Sequence, residues 1–266
     1  MKILVSNDDG IYADGIWALA RQLQTIAEVV VVAPDREQSA VGTATTLRKP
    51  LRVQKINPPV PNIESYSVEG SPSDSVIVAL GKVITPGVDL VISGVNQGSN
   101  LGEDVLISGT VGAALAGYLR GFPAIAISSE SWQEPRLSEA ARVATLLAKR
   151  LDPARLPSCN LLLNVNIPNL PLSQYKGIKV TRLSHKSHVN TVDEGHDGRK
   201  AYYMLMRESI NTQADKRSDI WAHTEGYISM TPLQFFADQR FPRRLLEDLT
   251  VGFLEELNSP SSYLRH

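Results

Sequence analysis

The sequence predicts an α/β fold: a doubly wound, Rossmann-like, mostly parallel sheet with a smaller β-rich C-terminal appendage and an extended arm. Three observations predict it. Short apolar runs rich in β-branched residues alternate with longer amphipathic stretches through roughly the first 170 residues, the pattern of buried parallel strands joined by crossover helices. Polar clusters follow directly on several of these runs, at the strand ends where such sheets bind their ligands. Beyond that point the alternation lapses into β-type segments separated by turn-rich sequence.

Each element has its own signal. Residues 2–7 form a short apolar strand that ends at Asn7-Asp8-Asp9-Gly10. Ile16, Leu19, Ala20, Leu23 and Ile26 recur at helical spacing through residues 15–27, and Val29 to Val32 is an unbroken β-branched run stopped by Ala33-Pro34. Strand, helix and strand make a first βαβ unit. Ser71-Pro72-Ser73-Asp74 reads as a helix start, with Ser71 as N-cap, Pro72 at the first helical position and Asp74 in the first turn. Strands are predicted at 88–92, 124–127 and 161–165, and helices at 110–120 and 138–151. In the C-terminal part, strands are predicted at 178–183, 201–206 and 220–231, with a polar, turn-rich segment at 185–200. A single helix over 243–257 closes the chain, with Leu245, Leu246, Leu249, Phe253, Leu254 and Leu257 as a face for packing or for association. The expected division is 1–170 for the core, 171–240 for the appendage and arm, and 241–266 for the helix and tail.

The 266 residues are 42% hydrophobic and 21% charged, enough apolar matter for a core without disulfides. One cysteine, Cys159, excludes an internal disulfide and any multi-Cys zinc site. A formal net charge of −1 gives no global attraction to nucleic acid polymers or anionic membranes. Arg240, Arg243 and Arg244 read as a solvated surface or an interface. The first nine residues already include paired aspartates and no apolar run is long enough to span a bilayer, so a cytoplasmic protein is expected.

Four clusters carry chemistry. Adjacent carboxylates, Asp8 and Asp9, raise each other's pKa unless a cation neutralises them; Asn-Asp-Asp-Gly is also good turn sequence. After the second strand, Ser39 could lend a neutral oxygen and Arg36 could hold an anion. The segment Ser93-Gly94-Val95-Asn96-Gln97-Gly98-Ser99-Asn100 offers the Asn96 amide oxygen, and its glycines let the backbone approach a ligand. Ser108-Gly109-Thr110 opens an Ala-rich helix, as a plain N-cap or as an anion site on free N–H groups. Two carboxylates, a hydroxyl and an amide form an all-oxygen set suited to magnesium, manganese or calcium rather than zinc. A divalent ion beside a helix N-terminus points to phosphate monoester hydrolysis.

At these residues the chain resembles the SurE nucleotidases. NDDG, PDREQSAVG, SGVNQGSN, SGTVGAA and GYISMTPL occur in that family's order, from Met1 to about Leu233. The resemblance implies metal ligands at Asp8, Asp9, Ser39 and Asn96, holding one divalent ion, magnesium or manganese. It implies phosphate and substrate contacts near Asn100, Ser108, Gly109 and Thr110. The mechanism expected at such a site is in-line attack by a metal-bound water that Asp8 or Asp9 orients or deprotonates. The implied substrates are nucleoside 5′- or 3′-monophosphates and, in some members, short polyphosphates. The implied assembly is a homodimer or homotetramer that exchanges the arm. Met204 stands where relatives carry tryptophan, which bears on substrate preference, and Met230 replaces an isoleucine. Of the five histidines, His185 and His223 are candidates to approach the leaving group, while His188, His196 and His266 read as surface or arm residues. A haloacid-dehalogenase-like site spaces its aspartates as D-x-D, and a phospho-receiver needs an acceptor aspartate where this chain has Asn96. The remaining alternative is a module that binds nucleotide without hydrolysing it.

Overall fold

The structure is a computed structural model, and it describes residues 1–85, 87–130, 136–151, 161–185, 189–196, 198, 200–207, 215–234 and 243–259. Cys159, Arg240, His188 and His266 lie outside the described residues.

Eleven strands are described: β1 (Lys2–Ser6), β2 (Glu28–Pro34), β3 (Val53–Lys55), β4 (Glu64–Val68), β5 (Leu90–Gln97), β6 (Ala124–Ser129), β7 (Leu162–Ile167), β8 (Ile178–Val180), β9 (Val189–His196), β10 (Ala201–Arg207) and β11 (Ile228–Pro232). The helices are α1 (Asp14–Leu23), α2 (Pro72–Val78), α3 (Gly109–Tyr118), α4 (Leu137–Arg150), α5 (Asp219–Thr224), α6 (Arg243–Thr250) and α7 (Phe253–Asn258). Nine strands make one sheet in the order β3-β4-β2-β1-β5-β6-β7-β11-β8. From β4 to β7 every neighbouring pair is parallel. The chain winds outward from β1 through β2 to β4, then returns to β5 on the other side of β1 and winds on to β7. The expected doubly wound α/β fold is therefore present, and its switch point falls between β1 and β5, where such sheets bind ligands.

Alternating side chains divide the core. Ile3, Val5, Ile92, Ile127 and Val165 face one cluster with α1 and α4, while Leu4, Val30, Val91, Ala126 and Leu162 face another with Val76 of α2 and Val111 of α3. Strands covered on both faces explain the continuous apolar runs. β5 continues well past residue 92, so Asn96 lies in its last turn of strand rather than in a following loop. Gly94 makes this possible: a Cβ there would lie 2.3 Å from the Ile127 carbonyl oxygen of the neighbouring strand, at a φ of +136°.

α2 begins as expected. Ser71 Oγ accepts from the Asp74 N–H at 3.0 Å and Asp74 Oδ2 accepts from the Ser71 N–H at 2.9 Å, a reciprocal capping box. The buried Asp74 carboxylate also accepts from the Thr46 N–H at 2.8 Å and from its hydroxyl at 2.7 Å, anchoring the long segment after β2. Asp74→Ala would leave those buried donors unpaired and remove the box. We expect it to lower the free energy of unfolding by about 2–4 kcal/mol, read from chemical denaturation.

Three expectations in the C-terminal part are corrected. Residues 220–231 are not one strand: Ser218 Oγ accepts from the Trp221 N–H and starts α5, and Gly226, at φ +83°, turns the chain into β11. Within 185–200, the polar residues 189–196 form strand β9, which pairs antiparallel with β10 as a separate two-stranded arm. The single helix over 243–257 is broken at Gly252, whose φ is +67°, into α6 and α7. Leu249, Phe253 and Leu257 of that terminal pair are buried in the α1–α4 cluster with Leu254 packed against it, so this part of the face packs within the molecule. Arg150 of α4 fastens it, donating to the carbonyls of Leu249 and Val251 and pairing with Glu256. β8 and β11 are hydrogen-bonded into the main sheet, so the sheet itself continues across residue 170. β3 and β4, without a counterpart among the expected elements, extend its other edge.

Candidate functional site

The turn after β1 is shaped by Asn7. Its side-chain oxygen accepts from the Gly10 N–H at 3.2 Å and its amide donates to the Gly10 carbonyl at 2.9 Å. Gly10 is required here, because its φ is +96° and a Cβ would come within 2.9 Å of the Arg36 backbone. The closed turn carries Asp8 and Asp9 at the carboxyl end of the central strand.

Asp8 is buried against the start of α3. Its Oδ1 accepts from Thr110 Oγ1 at 2.5 Å, and its carbonyl accepts from the Gln38 N–H at 2.7 Å. Gly109 lies so close that a Cβ would stand 2.7 Å from the Asp8 Cβ. Burial raises the Asp8 pKa above its ordinary value, assisted by the Glu37 charge and opposed by Thr110, through hydroxyl and N–H alike. Asp9 accepts from the Gln97 N–H, and its pKa is pushed up to about 7 by burial, then by the neighbouring Asp8 and Glu37 charges. Its Oδ2 is buried with no hydrogen-bond partner among the described residues.

The remaining residues singled out from the sequence surround this pair unevenly. Ser39 is exposed and donates to Glu37 Oε1 at 2.7 Å, which leaves its lone pairs available. Asn96 donates through Nδ2 to the Gly98 carbonyl at 2.6 Å, leaving its amide oxygen as an acceptor. Ser108 caps α3 by accepting from the Val111 N–H at 3.1 Å, and its own hydroxyl hydrogen remains a donor. Asn100 is buried and committed: Nδ2 donates to Ser128 Oγ, its N–H donates to Asn166 Oδ1, and its carbonyl accepts from Asn164 and Asn166. Gln38 binds the Asp8 backbone and Gln97 the Asp9 carboxylate, so the segments bearing Ser39 and Asn96 meet at the aspartate pair.

Asn164, Asn166 and Asp219 were not foreseen. Asn164 and Asn166 had a signal, two amides at a spacing of two in an otherwise apolar strand. Fully buried Asp219 accepts from the N–H groups of Gly102, Ser184 and Ile220. Burial raises its pKa, and those N–H groups oppose the rise. His223 is buried on α5, with Nδ1 3.9 Å from Glu130 Oε2.

The arrangement fits a hard cation. An unneutralised pair of carboxylates, Asp8 buried and Asp9 half-buried, is held towards protonation, and the buried Oδ2 of Asp9 lacks a donor among the described residues. Among the described residues no three His, Cys, Asp or Glu side chains gather as a metal site. A cation here would therefore draw on neutral oxygens as well, as magnesium and manganese do.

Sheet order and strand-end carboxylates define the class, an α/β protein of Rossmann-like topology with an acidic, oxygen-lined turn at its switch point. The family model described as Survival protein SurE matches residues 3–190. A protein of Dehalococcoides mccartyi strain CBDB1 named 5′-nucleotidase SurE is 53% identical over 97% of this chain and 98% of its own length. One of Legionella pneumophila strain Lens with the same name is 44% identical over 88% and 90%. The crystal structure of the SurE protein from Aquifex aeolicus superposes with a TM-score of 0.77 at 35% identity, covering 96% of this chain and all of that one. The chain belongs to the SurE family.

Proposed function

We propose that this chain is a divalent-metal-dependent phosphomonoesterase that hydrolyses nucleoside 5′-monophosphates to nucleoside and phosphate, with 3′-monophosphates and short polyphosphates as further substrates. Asp9 carries the reading: a half-buried carboxylate whose Oδ2 is buried without a partner among the described residues, its pKa pushed up to about 7 beside a second carboxylate, in a site that calls for a cation. The name shared by the relatives supports the substrate class.

Asp8, Asp9, Ser39 and Asn96 would hold one magnesium or manganese ion, which when bound neutralises the carboxylates and polarises the phosphoryl group. Asp9 is the group placed to orient the attacking water and accept its proton. Thr110 fixes Asp8 through a hydrogen bond of 2.5 Å, so the two carboxylates keep their relative placement. The hydroxyl of Ser108 and the Gly109 N–H at the start of α3 would receive the equatorial phosphoryl oxygens. Asn100, bonded on three sides, fixes the approach to that helix end.

The arm supports association into a homodimer or homotetramer: Val192, Tyr202, Tyr203, Met204 and Leu205 are exposed on a two-stranded ribbon that is hydrogen-bonded to no other described strand. No helix among the described residues is long and apolar enough to cross a membrane, in keeping with the cytoplasmic location we assign.

The test is phosphate release from a panel of 5′- and 3′-monophosphates and tripolyphosphate, with EDTA, magnesium or manganese. Metal-dependent release from 5′-monophosphates is expected. No release from any substrate by folded, metal-supplied protein would overturn the reading in favour of a binding module.

A further inference from the structure

We infer that Asp219 is a positioning residue that sets the phosphate-binding end of the site and ties it to the root of the arm. The kinetic part of this inference rests on the phosphatase reading above; the geometric part does not. Asp219 is fully buried at the start of α5. Its Oδ2 accepts from the Gly102 N–H at 2.7 Å, across 117 residues of sequence, and its Oδ1 from the Ser184 N–H at 2.9 Å, across 35.

Those two donors belong to different functional parts. Gly102 opens the 3₁₀ turn Gly102–Leu106, which leads within two residues to Ser108 and the start of α3. Its φ of +57° is left-handed, open to glycine without steric cost, and as the first residue of the turn its N–H has no partner within the turn and meets Asp219 instead. Asn100, two residues earlier, is clamped by Asn164 and Asn166. The segment that delivers Ser108, Gly109 and Thr110 is thus fixed at its entry by β7 and at its turn by Asp219. Ser184 lies four residues after β8 and five before β9, the first strand of the arm. The same region is laced by Asp219 N–H to the Arg182 carbonyl at 2.9 Å and Arg182 N–H to the Arg217 carbonyl at 3.0 Å.

A carboxylate suits the task because each oxygen can accept from a different segment, and charge-assisted bonds to buried N–H groups are the strong ones. Removing either acceptor leaves a buried donor unpaired. The turn then relaxes, and the helix end that receives the phosphoryl group moves with it. Asp219 bonds backbone and none of the residues proposed to meet the substrate, so its effect passes through Gly102.

The test compares wild type with Asp219→Asn, which preserves shape but replaces one acceptor by a donor, and Asp219→Ala, which removes both. For hydrolysis of a nucleoside 5′-monophosphate, kcat is expected to fall about 10-fold for the asparagine variant and about 100-fold for the alanine variant, with KM changed less than about threefold. Hydrogen exchange at the Gly102 and Ser184 amides is expected to accelerate in both. Phe253→Leu, which loosens the terminal helix far from this turn, is the control for lost stability and should keep kcat per folded molecule. Unchanged kcat in both Asp219 variants, or a fall no larger than the unfolded fraction seen in thermal melts, would overturn the inference. Unchanged exchange at Gly102 would overturn it too. If wild type itself releases no phosphate, the phosphatase reading fails, and exchange at Gly102 and Ser184 still decides whether the tie exists.

Discussion

Asp9→Asn is expected to lower metal-dependent phosphate release by about 10³-fold or more, because it removes a charge from the cation site and the base from the attacking water. The substitution keeps the side chain's shape, so failure to fold is not the expected cause. Asp9 is pushed up to about 7 by burial and by the Asp8 charge, which means that its ionised form is unfavourable in the metal-free fold. A neutral amide relieves that, and the metal-free variant is expected to melt no lower than metal-free wild type. Adding magnesium or manganese should raise the melting temperature of wild type and leave the variant nearly unmoved. Thermal melts with and without the ion, alongside phosphate release, check both halves. Activity retained in the variant would remove Asp9 from the mechanism.

Gly109→Ala is the second large effect. An added Cβ would stand 2.7 Å from the Asp8 Cβ, 3.0 Å from Asp8 Oδ2 and 3.1 Å from the Gln38 carbonyl oxygen. Three groups held by the strand, the helix and the long segment after β2 meet there, so the aspartate is displaced rather than a flexible side chain bending away. A shift approaching 1 Å in a reacting group costs about 100-fold in rate, and we expect that loss in kcat. Alanine favours helix over glycine, so the fold should survive, as circular dichroism would show. Gly81→Ala, where a Cβ meets nothing within 4 Å, is the matched control and should be silent. A variant as active as wild type would mean that Asp8 is not held to its place by α3.

Much of the architecture was legible because burial on both faces writes itself into sequence as unbroken apolar runs. Val29 to Val32 and Leu161 to Val165 are of that kind, and both are central strands. The helix start at Ser71 was legible because an N-cap is a local contract among four residues, and the structure adds the return bond from Asp74 that completes the box. β4 was not, since Glu64-Ser65-Tyr66-Ser67-Val68 offers only Tyr66 and Val68 to the core and takes its place through the ladder to β2. β9 was hidden for a related reason: its strand state depends on β10, and its acidic and glycine residues favour turns when read alone. α5 looked like strand because Ile220 and Trp221 sit beside the true strand β11, and the cap at Ser218 is visible only once the chain bends.

The site was legible as a list and not as a network. Asp8, Thr110 and Gly109 are brought into contact, across about a hundred residues, as their positions after strands and before a helix implied. Asp219 had no such signal: its partners are backbone N–H groups, which every residue but proline possesses, and nothing in the sequence marks Gly102 or Ser184 as donors to it.

Arg182 and Ser218 form an isolated parallel bridge, so the arm departs from and returns to one point on the sheet. A loop whose feet are fastened is insulated from the body that carries it: lengthening it adds only slowly growing closure entropy, and its tip can change residue by residue without asking anything of the core. The ribbon is in that sense an interchangeable fitting. Its exposed side chains, Tyr203 and Leu205 among them, can be exchanged while the strand ends that carry Asp8, Asp9 and Asn96 stay as they are.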